Sequence, residues 1–458
     1  MSQNPPTGRI SRTTRLASLA AGQGARHAAG GAADRLRSED QARLAQSARA
    51  AALADALVSQ LGQMKGAAMK LGQVISTLDF PGLQPADQAH LKLRLAALRD
   101  QAAPQDWKAT EAMLVKELGA PLSSLFADFD KQAFAAASIG QVHRAESLDG
   151  KQLAVKVQYK GIDRAVETDL RSASLLLPLL KRLAPGMDAK ALLGEMRERV
   201  SEELDYELEA SRTRQISRWM RGHPFLLVPS VETNLCSRRV LTTGFIEGQR
   251  FEDLKQESQP VKDAAAEQIF RFFFGVLTHK NTALGDPHPG NFLRVGDKMA
   301  FIDFGMQRKI EAKYLQQERE AANAVMAKDP QRLHAILSSL GYVPDPDSFD
   351  PELLLGQLQM AGSWYFTPGR LQITSQLVSD LMREASSSES PYLEAIRRQT
   401  IPPQALLIRR MESMLLPVLG ELTASADWNA LAQEFFAAGI PSNLFGEADQ
   451  QFWLGAKN

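Results

Sequence analysis

One cysteine, Cys236, occurs among 458 residues. No internal disulfide can form, and a thiolate-based metal site is not expected. A reducing compartment is expected, with Cys236 a packing residue. Long apolar runs are also missing. The nearest approach, Ile401 to Leu419, is interrupted by Arg409, Arg410 and Glu412. No membrane-spanning helix is therefore expected. Net charge is formally zero, and no basic patch with interleaved aromatics stands out. That argues against a nucleic-acid partner. No cluster of His, Cys and acids has zinc spacing. Acids are absent from the first 33 residues, which carry Arg9, Arg12, Arg15 and Arg26 among Ala, Gly, Ser and Thr. An organelle transit segment, a basic arm at an anionic membrane surface and a flexible arm all fit that stretch.

With 44% hydrophobic residues, the chain is too long for one core, and two or three domains or lobes are expected. Helical periodicity runs from Gln41 to Thr77 and ends at Asp79–Phe80–Pro81–Gly82. Further helices are expected over Ala86 to Arg99 and Gln105 to Leu118. Phe134 ends a short strand candidate. Gln141 to Ala145 and Gln152 to Val157 then read as a hairpin around Leu148–Asp149–Gly150. Helices return over Ile162 to Leu183 and Ala189 to Met220, followed by strand candidates at Phe225 to Val231 and Arg239 to Ile246. Helix dominates from Ala264, with a strand-like interruption from Phe292 to Phe304. Strands with few helices, then helices with few strands, predict a two-lobed α+β architecture.

The strongest chemical signal is Gly285–Asp286–Pro287–His288–Pro289–Gly290–Asn291, followed by Phe301–Ile302–Asp303–Phe304–Gly305. Phosphoryl transfer needs a positioned nucleophile and metal on the phosphates. Kinase folds place an Asp five residues before an Asn on one loop, then the Asp of Asp-Phe-Gly after a short hairpin. Asp286, Asn291 and Asp303 have that order and spacing. Each motif alone is weak; together, in strand–loop context, they are strong. Such a fold also needs a lysine on an earlier strand. Lys156, within Leu153–Ala154–Val155–Lys156–Val157, supplies it. Burying it requires anionic partners, either phosphates or a helical carboxylate. On a continuous helix Asp205 and Glu209 share a face and Glu203 points elsewhere. Glu209 is assigned to Lys156, leaving Glu203 and Asp205 to face Lys70 or a second metal; pairing of Glu203 with Lys156 is the alternative.

The chain resembles the UbiB family of atypical kinases, over roughly Leu61 to Gly305. Four segments carry the resemblance: Lys70–Leu71–Gly72–Gln73, the Ala-rich stretch from Ala135 to Val142, Glu203–Leu204–Asp205–Tyr206 with Glu209–Ala210, and Asp286 to Asn291. The resemblance implies a kinase-like fold and ATP with Mg2+ as cofactors. Lys156 would position phosphates, Asn291 and Asp303 would hold metal, and Asp286 would orient or deprotonate the nucleophile. The helix bearing Lys70 and Gln73 would fold across the mouth of the active site, with Lys70 meeting Glu203 and Asp205. Ala135, Ala136, Ala137 and Ser138 replace the usual glycines and would hold nucleotide in an altered pose. Adenine would meet the backbone from Thr243 to Ile246, with Thr243 and Phe245 as the candidates there. The expected divisions are an arm at 1–40, a helical extension at 41–125, a kinase-like N-lobe at 126–248 and a helical C-lobe at 249–458.

Three departures stand beside the resemblance. Leu284 and Gly285 occupy the places of the family's His-Ala, Gly244 replaces a hinge acid, and no Ala-Pro-Glu follows Asp303. His288 is expected to shape its turn rather than bind metal. The resemblance implies a Mg-dependent ATPase or small-molecule or lipid kinase in isoprenoid-quinone (ubiquinone) biosynthesis. Its partners would be ATP or ADP, an anionic membrane surface or prenyl-lipid precursor, and quinone-pathway proteins. A bacterial cytoplasmic protein, peripheral at the inner face of the membrane, is the expected setting. A nucleotide-gated scaffold without catalysis is the alternative. An antibiotic or choline phosphotransferase is a further one, against which the Ala-rich stretch and the Lys70 motif argue.

Overall fold

The computed structural model describes residues 106–137, 139–174, 201–386, 390–437 and 439–455. The expected helices over Gln41 to Thr77 and Ala86 to Arg99, with Lys70 and Gln73, lie outside the described residues. The chain divides into two compact units. The first comprises residues 1–210 and 232–243, the second residues 211–231 and 244–458. None of the described helices is long and apolar enough to cross a membrane.

The first unit is built on a sheet in the order β1 (Phe126–Phe129), β3 (Gly140–Ser147), β4 (Gln152–Gln158), β6 (Val240–Gly244), with β2 (Ala135–Ala136) also on β3. The expected hairpin is present as β3 and β4, antiparallel, with Val142 opposite Lys156. Strand alternation buries Leu153, Val155 and Val157 against Leu114 of helix α1 (Trp107–Leu118) and leaves Lys156 on the opposite face. Gly140 has a steric reason: a Cβ there would lie 2.3 Å from the Val157 carbonyl oxygen. Gly140→Ala should therefore part β3 from β4 and cost about 1–3 kcal/mol, read as a lower urea midpoint. An unchanged midpoint would show that the strands can give way freely. Helix α2 (Ile162–Ser174) follows β4.

Helix α3 (Tyr206–Trp219) contains the division between the units. The second unit is organised around α4 (Gln259–Lys280), which is buried almost without a break from Ala265 to Leu277. Such a helix is apolar nearly all round because it is surrounded. Phe270, Phe272, Phe273 and Phe274 lie in one core with Phe292, Phe301, Trp364, Trp428 and Trp453. Of the three polar residues in that run, Glu267, Gln268 and Arg271, the arginine is the most enclosed. Its side chain is 0% exposed, and its Nε donates to Glu267 at 2.7 Å. Nη1 and Nη2 donate to the two oxygens of Glu434 at 2.8 and 2.9 Å. Glu434 belongs to helix α7 (Trp428–Phe436), reached after α5 (Ala312–Met326) and α6 (Leu406–Glu421).

A second sheet, in the order β5 (Leu226–Leu227), β10 (Lys298–Phe301), β9 (Phe292–Val295), β7 (Gln249–Arg250), lies in this unit. The single strand-like stretch expected from Phe292 to Phe304 is thus a hairpin, turned at Gly296, whose φ is +63°. A two-stranded ladder joins β8 (Thr282–Leu284) to β11 (Gln307–Lys309).

Candidate active site

The expected lysine and its carboxylate partner lie in the first unit. Lys156 Nζ is 2.7 Å from Oε1 and 3.0 Å from Oε2 of Glu209. The ammonium also lies 4.9 Å from the centre of the Tyr206 ring. The two side chains are 18% and 8% exposed, so each would be costly to hold there alone. Glu209 is accordingly the carboxylate that meets Lys156 in this unit.

Asp205 takes a different place from the one expected. The sequence reads as one helix from Ala189 to Met220, yet the helical residues 201–203 end at a turn on Leu204, and α3 starts afresh at Tyr206. Asp205 Oδ1 accepts the N–H groups of Glu207 and Leu208 at 3.0 and 3.2 Å. It caps α3 instead of sharing a helical face with Glu209. Asp competes for backbone N–H groups, which disfavours it inside helices and favours it at their starts. Glu203 lies just before this break, and the partner expected for Glu203 and Asp205, Lys70, is outside the described residues.

The Ala-rich stretch is more regular than a loop. Ala135 and Ala136 pair with Val142 and Gln141, and the Ala137 N–H donates to the Gly140 carbonyl at 2.8 Å. Ser138 is outside the described residues. Thr243 lies on β6 in the first unit, and Phe245 follows that strand in the second.

Asp286, Asn291 and Asp303 lie in the second unit. After β8 the chain turns at Asp286, and His288 Nδ1 accepts the Gly290 N–H at 3.0 Å. His288 therefore shapes the turn. The Asn291 N–H donates to the His288 carbonyl at 2.9 Å, and the Asn291 carbonyl accepts the Ile302 N–H at 3.2 Å. That last bond ties the loop to the segment just past β10. Asp303 follows, with Oδ1 accepting the Gly305 N–H at 3.0 Å. Phe304 is buried in the core. The result is one small pocket lined by Asp286, Asn291 and Asp303 together with Phe273, Phe304 and Met306.

Three oxygen-bearing side chains on one pocket fit a hard cation better than a soft one. Among the described residues, no group of three or more His, Cys, Asp and Glu could hold a metal ion. Asn291 and Asp303 would thus supply part of a shell, as suits Mg2+, which keeps waters and takes phosphate oxygens.

Two arginines at this pocket escape a motif-based reading. Arg212 Nη1 donates to the Gly305 carbonyl, and Arg410 Nε donates to the Gly285 carbonyl at 2.9 Å. Arg410 Nη2 lies 4.0 Å from Asp286 Oδ1. In sequence, Arg410 registers only as a charge interrupting an apolar stretch.

Residues 97–337 match the family model described as ABC1 atypical kinase-like domain. The mitochondrial atypical kinase COQ8 of Saccharomyces cerevisiae is 29% identical over 353 residues, covering 76% of this chain and 69% of that protein. The mitochondrial atypical kinase COQ8B of Rattus norvegicus is 28% identical over 282 residues, covering 61% of this chain and 53% of that protein. The chain therefore spans about half to two thirds of the length of these relatives. Among solved structures, the complex of Rv3197 with erythromycin from Mycobacterium tuberculosis superposes with a TM-score of 0.63 at 24% identity. It covers 81% of this chain and 92% of its own. That likeness shows the kinase-like fold. The family match spans more than half of the chain and includes Lys156, Glu209, Asp286, Asn291 and Asp303. The chain belongs to the ABC1 atypical kinase-like family, and its resemblance to UbiB-type kinases is upheld.

Proposed function

We propose that this chain binds ATP with Mg2+ and either hydrolyses it or transfers its terminal phosphoryl group to a small molecule or lipid. The observation that carries the reading is the placement of Asp286, Asn291 and Asp303 on one pocket. The Lys156–Glu209 ion pair supports it. Lys156, oriented by Glu209, would hold phosphate oxygens. Asn291 and Asp303 would hold Mg2+, which when bound supplies charge neutralisation on the phosphates. Asp286 would orient the attacking hydroxyl or water and take its proton. The COQ8 relatives favour a role in isoprenoid-quinone biosynthesis, and the basic N-terminal stretch favours a setting at an anionic membrane surface.

The test is Mg-dependent phosphate release by purified protein, with and without anionic liposomes. Release that rises with lipid supports a membrane-responsive ATPase and leaves the acceptor to be sought. Nucleotide-dependent thermal stabilisation with no release, lipid present, would replace the enzyme with a nucleotide-gated scaffold.

The Ala-rich stretch allows a finer check. A glycine at position 137 lets the backbone approach phosphates more closely. Ala137→Gly should tighten ATP relative to ADP by about two- to fivefold, the scale of a backbone change worth roughly 0.5–1 kcal/mol. Superimposable binding curves would remove that stretch from nucleotide selection.

A further inference from the structure

The loop that carries Asp286 is held partly from outside the segment that matches the family model. Gly285 is clamped on both sides. Its N–H donates to the Met306 carbonyl at 2.9 Å, and its carbonyl accepts from Arg410 Nε at 2.9 Å. The same guanidinium places Nη2 4.0 Å from the Asp286 carboxylate. The carbonyl it holds belongs to the peptide plane joining Gly285 to Asp286. Fixing that plane narrows the directions in which the Asp286 side chain can leave the backbone. Arg410 lies on α6, beyond residue 337, where the family match ends.

The seat for α6 is cut into the loop itself. A Cβ on Gly285 would lie 2.1 Å from Cδ1 of Leu407 and 2.9 Å from Sδ of Met306. Leu407 is buried. The helix is anchored behind this contact by the next side chain. Arg409 pairs with Glu318 of α5 at 2.7 Å and with Glu412 at 3.0 Å. The segment before α6 is tied as well, since Arg308 Nη1 donates to the Pro403 carbonyl at 2.8 Å. The small residue before the catalytic Asp and the arginine facing it are thus two parts of one contact.

We infer that Arg410 is a positioning residue for Asp286, and that α6, seated on Gly285 through Leu407, is a working part of the phosphoryl-transfer site. The inference rests on the proposed role of Asp286, but it makes a separate statement about the loop. Arg410 touches neither phosphates nor metal in this account. Its loss should leave nucleotide affinity alone while the attacking group loses its orientation.

The experiment uses full-length Arg410→Ala, Arg410→Lys, Gly285→Ala and Gly285→Ala/Leu407→Ala. Amide hydrogen exchange is read across residues 284–291, beside Mg-ATP turnover. Arg410→Ala should speed exchange at Gly285 and His288 and lower kcat about 10- to 100-fold, with KM for ATP within about twofold of the parent. Arg410→Lys, which keeps a cation but lacks the planar fork, should recover part of kcat. Gly285→Ala should reproduce the arginine defect, and the added Leu407→Ala should relieve it. Parent-like exchange in Arg410→Ala overturns the inference whatever the turnover. A parent enzyme that turns over, with an arginine variant whose kcat is unchanged, overturns it equally. A parent without turnover rejects the enzymatic reading, and exchange then decides the positioning claim by itself.

Discussion

Asp303→Asn should reduce Mg-dependent phosphate release by about 100-fold or more, the rate equivalent of several kcal/mol of lost charge stabilisation. It should also weaken Mg-ATP binding while leaving the fold intact. The substitution keeps size and shape, and an amide oxygen can still accept the Gly305 N–H that Oδ1 takes now at 3.0 Å. What disappears is the negative charge that would hold the cation. Asp286→Asn should behave differently. A lost general base costs about 100- to 10,000-fold in turnover, yet nucleotide binding should persist. Turnover and binding together therefore separate the two aspartates. Equal loss of binding in both variants would contradict the roles assigned to them.

The largest expected effect on stability lies at Arg271. Its guanidinium is enclosed, 0% exposed, and holds Glu267 and both oxygens of Glu434, with Asp449 at 3.8 Å. Burial works against the charge of Arg271, but the carboxylates of Glu434 and Glu267 more than offset this and raise its pKa. Arg271→Ala leaves two carboxylates inside without their cation. Breaking a buried pair from one side costs about 3–5 kcal/mol. For a unit of this size the unfolding midpoint should fall by roughly 6–20 °C. Replacing both Arg271 and Glu434 by apolar residues should recover much of the loss, because the penalty comes from the stranded charge. A single variant within about 1 kcal/mol of the parent would contradict this description of the core.

The same cluster sets a direction with pH. Burial raises the Glu434 pKa, but its bonds to Arg271 and Ser442 prevail and lower it from 4.5. A depressed carboxylate contributes stability above its unfolded pKa and loses it as pH falls through the folded value. The parent should lose stability on acidification below about pH 4.5, and Glu434→Gln should flatten that slope.

The meeting of Asp286, Asn291 and Asp303 on one pocket was legible because the signal is local. Asp286, Asn291 and Asp303 are separated by a short turn and one hairpin, so their spacing survives in the sequence. The β3–β4 hairpin was legible for the same reason, with Asp149–Gly150 marking its turn. Strands of two or three residues were not. β8 and β11 flank the same loop and hairpin, but neither segment alternates over enough positions to register. The strand expected from Phe225 to Val231 is reduced to Leu226–Leu227, which pair with Met299 and Ala300 of β10.

Asp205 shows a second kind of limit. Periodicity carried the helix straight through it, whereas its short side chain bonds the N–H groups of Glu207 and Leu208 and starts a new helix. Arg409, Arg410 and Glu412 show a third. They correctly exclude a membrane span as charges within an apolar stretch, but their partners Glu318 and Gly285 lie about 90 to 125 residues away in the chain. Only the folded second unit gives those charges a purpose.

The proposed function requires that this chain bind nucleotide with Mg2+ held at Asn291 and Asp303. The most direct measurement is ATP binding by the parent and by Asp303→Asn, each with Mg2+ and with a chelator, followed by calorimetry and thermal unfolding. The account predicts saturable binding and a raised midpoint for the parent with Mg2+. Both should weaken with chelator and be insensitive to chelator in Asp303→Asn. Parent protein that is folded yet shows no heat and no midpoint shift with Mg-ATP would contradict it.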